Sequence, residues 1–216
     1  MQAPKTRKDP RNRRATLLVA AAVAAALLVG GAVAAFLLLR DDSGSASVQQ
    51  AMSDAGCSFR EVKALPSGVH ISDANKPPKE WNTFPPTSGP HFGQWVIWGE
   101  YDQPVRLTEA VHNLEHGGIV MYYGKDVPQD EVSKLREFYR SDPVAMLLSP
   151  LPKLNDKIVL TAWNAPEAGQ TSNPSPGNGI LAECSKFDED AFETFRDTYR
   201  FKGPERIPPE SLQPGS

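Results

Sequence analysis

The sequence predicts an α+β protein in which an N-terminal transmembrane helix leads into one external mixed α/β domain. Three observations predict it. An uncharged run of 23 residues, Leu17 to Leu39, follows a basic start. Beyond that run, β-branched and aromatic stretches alternate with stretches whose apolar residues recur at helical spacing. The length, 216 residues, suits one domain with appendages.

At about 1.5 Å per residue the apolar run is long enough to cross a hydrocarbon core of about 30 Å. Lys5, Arg7, Lys8, Arg11, Arg13 and Arg14 precede it, and Arg40, Asp41 and Asp42 close it. This asymmetry puts the N-terminus in the cytoplasm and the rest outside the cell membrane. A cleaved signal peptide shares the basic start, but its apolar region is only about 7–15 residues long. An uncleaved single-pass anchor is therefore the preferred reading. The expected organisation is a cytoplasmic basic stub (1–16), a transmembrane helix (17–39), a flexible stalk rich in Ser, Gly and Gln (40–55), an extracytoplasmic domain (56–205) and a disordered tail (206–216).

Residues 1–14 hold six basic groups and one acid, whereas residues 41–216 hold 16 basic and 25 acidic groups. An acidic external domain offers no basic face to nucleic acid, and anionic lipid headgroups account for the basic stub. Both cysteines, Cys57 and Cys184, fall in the external part. An even count with wide spacing in an oxidising compartment reads as a disulfide. The absence of a Cys-x-x-Cys pair argues against dithiol redox catalysis.

From Gly56-Cys57 to about Ile71, short apolar stretches such as Phe59, Val62, Leu65 and Val69 predict one or two strands. Pro77, Pro78, Pro85, Pro86 and Pro90 exclude helix and central strand, leaving a stiff loop that holds Ser88 and His91. Gln94 to Trp98 reads as a strand. Thr108 is placed to cap a helix of about two and a half turns, with Gly117 as its stop. Ile119 to Tyr123 is a buried strand, and Asp130 to Arg140 an amphipathic helix. Val144 to Leu148 is ambiguous between strand and helical turn. Ile158 to Trp163 and Ile180 to Glu183 are strands around a polar loop, Asn164 to Gly179, and Asp188 to Tyr199 is the last helix. The C-terminal half allows a thioredoxin-like arrangement without redox cysteines, with Pro152 before a hairpin.

The chemistry concentrates in two segments. Three of the four histidines lie in Pro85–His91 and Val111–Tyr123, and the fourth, His70, is close upstream. His91, His112 and His116 supply three neutral nitrogen ligands, with His70, Glu115 or Met121 as a further ligand. Three imidazoles and an open position suit zinc or copper, and a thioether would favour copper. A second reading takes His112-Asn113-Leu114-Glu115-His116 as the His-x-x-Glu-His signature of a zinc-dependent hydrolase, with Glu115 as the base. Two glycines end the helix at once, which argues against that reading. Ser88 with His112 as a serine hydrolase is weaker, because no nucleophile elbow surrounds Ser88. Histidines in polar turns also serve structure alone, by hydrogen-bonding carbonyls. A third functional class is an envelope module that binds a protein through the aromatic stretch Trp81, Phe84, Phe92, Trp95, Trp98 and Tyr101.

Gly56-Cys57, Pro85-Pro86-Thr87-Ser88-Gly89-Pro90-His91, Gly99-Glu100-Tyr101, Val111-His112-Asn113-Leu114-Glu115-His116-Gly117, Thr161-Ala162-Trp163 and Gly203-Pro204-Glu205 together resemble the bacterial family called domain of unknown function 3105. The resemblance covers Gly56 to Glu205. It implies a membrane-tethered extracytoplasmic domain and marks His91, His112, Glu115 and His116 as motif positions, without implying a reaction.

Overall fold

The computed structural model describes residues 47–165 and 176–216. The expected stub, transmembrane helix, first part of the stalk and most of the loop between 164 and 179 lie outside the described residues. Among the described residues no helix is long and apolar enough to cross a membrane.

A six-stranded sheet organises the domain. Its strands are β1 (Ser58–Lys63), β4 (Gly99–Glu100), β5 (Ile119–Tyr123), β6 (Met146–Pro150), β7 (Ile158–Asn164) and β8 (Asn178–Cys184), in the order β1-β8-β7-β5-β6-β4. Helix α3 (Gln129–Ser141) makes the crossover between parallel β5 and β6. A crossover of that kind requires an intervening element, and the helix supplies it. The β7–β8 and β5–β7 pairs are antiparallel, as is β1 on β8, while short β4 runs parallel to β6. Helix α4 (Glu189–Tyr199) follows β8, capped by Asp188, whose carboxylate accepts the Ala191 N–H.

The two-residue period of the strands divides the interior into two cores. Ile119, Met121, Leu148, Leu160 and Ile180 face one side and pack with Leu135 and Phe138 of α3 and Phe192, Phe195 and Tyr199 of α4. Val120, Tyr122, Leu147, Val159 and Leu181 face the other side and pack with Trp98, Trp163 and Ala110, Val111 and Leu114 of α2 (Leu107–Glu115). The alternation of buried residues along one strand is what a sheet covered on both faces requires. Helix α2 thus lies on the second side of the sheet.

The register of β1 on β8 pairs Ser58 with Glu183, which brings Cys57 opposite Cys184. The two form the expected disulfide, across a Cα separation of 4.3 Å.

Three expectations are corrected. Residues 47–54, assigned to the stalk, are helical (α1), with Val48 and Met52 fully buried in the first core. Spaced four apart, these two side chains share one helical face, which the surrounding Ser and Gln conceal. Residues 206–216, expected as a disordered tail, return to the domain. Leu212 is fully buried, its carbonyl accepts from Ala145 N–H, and Trp98 exchanges backbone hydrogen bonds with Gly215 and Ser216. Gln94 to Trp98, expected as a strand, forms none, because Asn113 rather than a neighbouring backbone takes both Val96 polar groups.

Candidate metal centre

Helix α2 carries the site at its C-terminal end. Its first turn is not capped by Thr108, whose hydroxyl donates to the Ala74 carbonyl instead. Its end does follow the expected pattern. Gly117, at φ +86°, donates to Leu114 O, and Gly118 donates to Asn113 O. These are the paired bonds of a Schellman stop, which needs a residue tolerant of positive φ. A Cβ on Gly118 would strike the Trp98 ring, so the second glycine lets α2 and β5 close on that ring. His112, Glu115 and His116 are thus held at a fixed helix end against the sheet.

A small parallel ladder delivers the other two imidazoles. Strands β2 (His70–Ile71) and β3 (His91–Phe92) pair in register, His70 against His91. The Pro-rich loop between them is pinned: Ser88 Oγ accepts from Leu65 N–H and the Trp81 indole donates to Pro90 O. The result is a cluster of all four histidines. Ring centroids are 4.8 Å apart for His91 and His112, 5.0 Å for His70 and His91, 5.4 Å for His70 and His112, and 4.7 Å for His112 and His116. Trp95 stands edge-on over His112 and His116.

Three rings are oriented by carbonyls. Nδ1 of His91 meets Gly89 O at 2.8 Å, Nδ1 of His112 meets Phe92 O at 3.0 Å and Nδ1 of His116 meets Glu205 O at 2.8 Å. A carbonyl only accepts, so each Nδ1 carries a proton and the neutral ring presents its lone pair at Nε2. This outer contact is the one that commonly fixes a metal-ligating histidine. Nε2 of His116 is buried and makes no hydrogen bond among the described residues, and the buried Nε2 of His91 faces Glu115.

Glu115 completes the group. Oε1 accepts from Gly68 N–H at 2.6 Å, and Oε2 lies 3.0 Å from His91 Nε2, both side chains being fully buried. Burial favours neutral Glu115, but His91 and the Gly68 N–H outweigh it and hold the carboxyl below its ordinary range. Burial likewise opposes charge on His91, yet Glu115 and the Gly89 carbonyl raise it. His112 goes the other way, lowered to about 4 by burial, partly offset by the Phe92 carbonyl and reinforced by His116 and His91.

One ligand atom each from His70, His91, His112 and Glu115 lies within 4.8 Å of all the others. Tetrahedral bonds of about 2.0–2.1 Å set such atoms roughly 3.4 Å apart. Closing on an ion therefore takes about an ångström of side-chain movement, which exposed His70 can supply. Of the predicted ligands, His91 and His112 come together with His70 and Glu115. His116 stands beside His112, outside this mutual group. Met121 is excluded: it points into the core on the opposite side of β5. Ser88 makes no hydrogen bond to His112 among the described residues, since His112 binds Phe92 O.

Sequence reasoning did not find Asn113, Gly68 or the carbonyls of Gly89, Phe92 and Glu205. The one available signal was the Gly203-Pro204-Glu205 motif, whose role is now concrete. Glu205 N–H donates to Glu115 O while Glu205 O orients His116.

Fold and site together define a mixed α+β domain whose histidine–glutamate cluster, buried but for His70, could hold a metal ion. The chain belongs to the family described as protein of unknown function (DUF3105), whose model matches residues 74–211 and so includes His91, His112, Glu115 and His116. No curated protein and no solved structure matches it.

Proposed function

We propose that this is a membrane-anchored, extracytoplasmic domain that binds one transition-metal ion, zinc or copper, through His70, His91, His112 and Glu115. The observation that carries the reading is the meeting of His91 Nε2 and Glu115 Oε2 in a buried place beside two more imidazoles. A lone-pair nitrogen and a carboxylate at 3.0 Å repel unless a proton or a metal cation sits between them. The donor set contains no sulfur, because both cysteines are oxidised and Met121 faces away. Nitrogen and oxygen donors favour zinc or copper(II) over copper(I).

The anchor rests on the uncharged run 17–39 and the basic stub before it. The external location draws support from the Cys57–Cys184 disulfide, a bond that persists in oxidising compartments. The succession β5-α3-β6-β7-β8-α4 supports a thioredoxin-like reading of the C-terminal half. No cysteine stands where the chain enters α3, so that likeness carries no redox chemistry.

Glu115 is fully buried and already engaged by Gly68 and His91, which suits a ligand or charge partner better than the base of a zinc hydrolase. Elemental analysis of the purified full chain tests the reading, with His91→Ala/His112→Ala alongside. One metal ion per chain, lost in the variant, is the expected result. A metal-free wild type after growth in zinc and copper would contradict it. Peptide cleavage abolished by Glu115→Gln would establish the hydrolase instead.

A further inference from the structure

Beside the histidine cluster lies an open groove of about 870 Å³. One wall is Gly93 to Ile97, and the other is Tyr101 and Gln103 to Arg106 with Glu109. Its volume is that of a ligand site rather than a packing defect. Two of its apolar side chains are unusually open, Ile97 at 58% and Trp95 at 37% exposure, while Val96 and Trp98 are buried at 6% and 1%. This alternation is that of an extended chain with one face in the core.

The backbone of the same wall is satisfied on one edge only. Val96 N–H and C=O both pair with the Asn113 side-chain amide, and Trp98 N–H and C=O both pair with residues 215 and 216. Trp95 and Ile97, of opposite parity, address the other edge. Ile97 O accepts only the Tyr101 hydroxyl, and among the described residues no hydrogen bond engages Trp95 N–H, Trp95 C=O or Ile97 N–H. Open edges are usually blocked by lysine, proline or a bulge. Gly93-Gln94-Trp95-Val96-Ile97 has neither charge nor proline.

We propose that this groove binds an extended segment of another polypeptide, which adds as a strand along Trp95–Ile97. Main-chain bonds to Trp95 N–H, Trp95 C=O and Ile97 N–H hold the segment, and its alternate apolar side chains lie between Ile97, Pro104 and Val105. This is recognition by strand addition, where the backbone provides affinity and side-chain pockets provide selectivity. A lipid or an apolar small molecule could fill the volume but not pair the alternating amide and carbonyl. The groove runs toward the cluster: Trp95 covers His112 and His116, and Gly93 lies against the His70 ring. The bound segment therefore runs past Trp95, the ring that covers two of the imidazoles, and its binding does not depend on a metal ion.

The test is selection of a random decapeptide library on the immobilised full chain, in EDTA and again with zinc. Expected are peptides with apolar residues at alternate positions, bound under both conditions. Their affinity should fall at least tenfold with Ile97→Asp, an exposed position that leaves far-UV circular dichroism unchanged. N-methylation of alternate peptide amides should abolish binding in one phase and spare it in the other. Binding should also slow hydrogen exchange at Trp95 and Ile97. No enriched peptide, indifference to Ile97→Asp, or tolerance of N-methylation at every position would overturn the proposal. So would a dimer of the chain that Ile97→Asp makes monomeric, which would assign the edge to self-association. Loss of metal binding with peptide binding intact would strike only the metal reading.

Discussion

His91 Nε2 and Glu115 Oε2 lie 3.0 Å apart, both side chains fully buried, with Glu115 anchored on its other oxygen by Gly68 N–H. Without metal this contact is an ion pair, consistent with a raised His91 and a lowered Glu115. Glu115→Gln keeps an acceptor for Gly68 but leaves His91 without its counter-charge. Removing one partner of a buried pair costs roughly 3 kcal/mol or more. The expected outcome in EDTA at pH 6 is a loss of unfolding free energy of that size, read as a lower urea midpoint at an unchanged m value. An unshifted midpoint would mean that the pair is not formed in solution.

The stability of the metal-free domain should have a narrow optimum in pH, and the signs follow from the three groups. His112, lowered to about 4, contributes stability in full above its unfolded value near 6.5 and loses it as pH falls toward 4. A gap of that width corresponds to about 3 kcal/mol. Glu115, lowered, contributes above its unfolded value and loses that contribution at still lower pH. His91, raised, contributes fully below 6.5 and loses it as pH rises through its folded value. Urea unfolding in EDTA from pH 4 to 9 should therefore show stability rising to near pH 6.5 and declining on the alkaline side. His91→Gln should remove the alkaline decline and also weaken the part of the acid limb that Glu115 owes to His91, and a profile unchanged by it would contradict the assignment.

Gly203 tests the support of the site without touching a ligand. A Cβ there would strike the Glu115 carbonyl and Gly117 N, at the place where Glu205 binds Glu115 O and orients His116. Gly203→Ala should destabilise the domain by about 1–3 kcal/mol, as overpacking does. It should also weaken zinc binding by about 10–100-fold, the usual cost of disturbing a group that orients ligands. Wild-type zinc affinity in a folded Gly203→Ala protein would show that residues 203–205 do not organise the centre.

Much of this arrangement was legible in the chain. The four elements α3, β7, β8 and α4 announce themselves through apolar spacing and β-branched runs, β6 stays open between strand and helical turn, and the Gly117-Gly118 stop fixes where α2 ends. His91 was identifiable from its place after Gly89-Pro90 and His112 from its spacing of four from His116. The errors share one physical origin, which is that contacts between distant segments override local pattern. The face on which Met121 lies depends on strand register, and the burial of Val48, Met52 and Leu212 depends on surfaces supplied from elsewhere. His70 joins the cluster only through its two-residue pairing with His91, and no periodicity encodes that.

The disulfide should be a major support of the fold. Its partners are 127 residues apart, and in the chain-entropy model a closed loop of that length stabilises by about 5 kcal/mol. Cys57→Ala/Cys184→Ala should lower the urea midpoint accordingly. A double variant as stable as the wild type would show that the other contacts of β1 and α1 hold this edge unaided.

The most direct test of the metal centre is zinc K-edge absorption spectroscopy on the full chain loaded with one equivalent of zinc. Four nitrogen and oxygen neighbours at about 2.0 Å are expected, with imidazole outer-shell scattering from three rings that drops to two in His70→Ala. A six-coordinate shell of oxygen alone, sulfur in the shell, or a spectrum unaltered by loss of His70, His91 or His112 would contradict a site built from these residues.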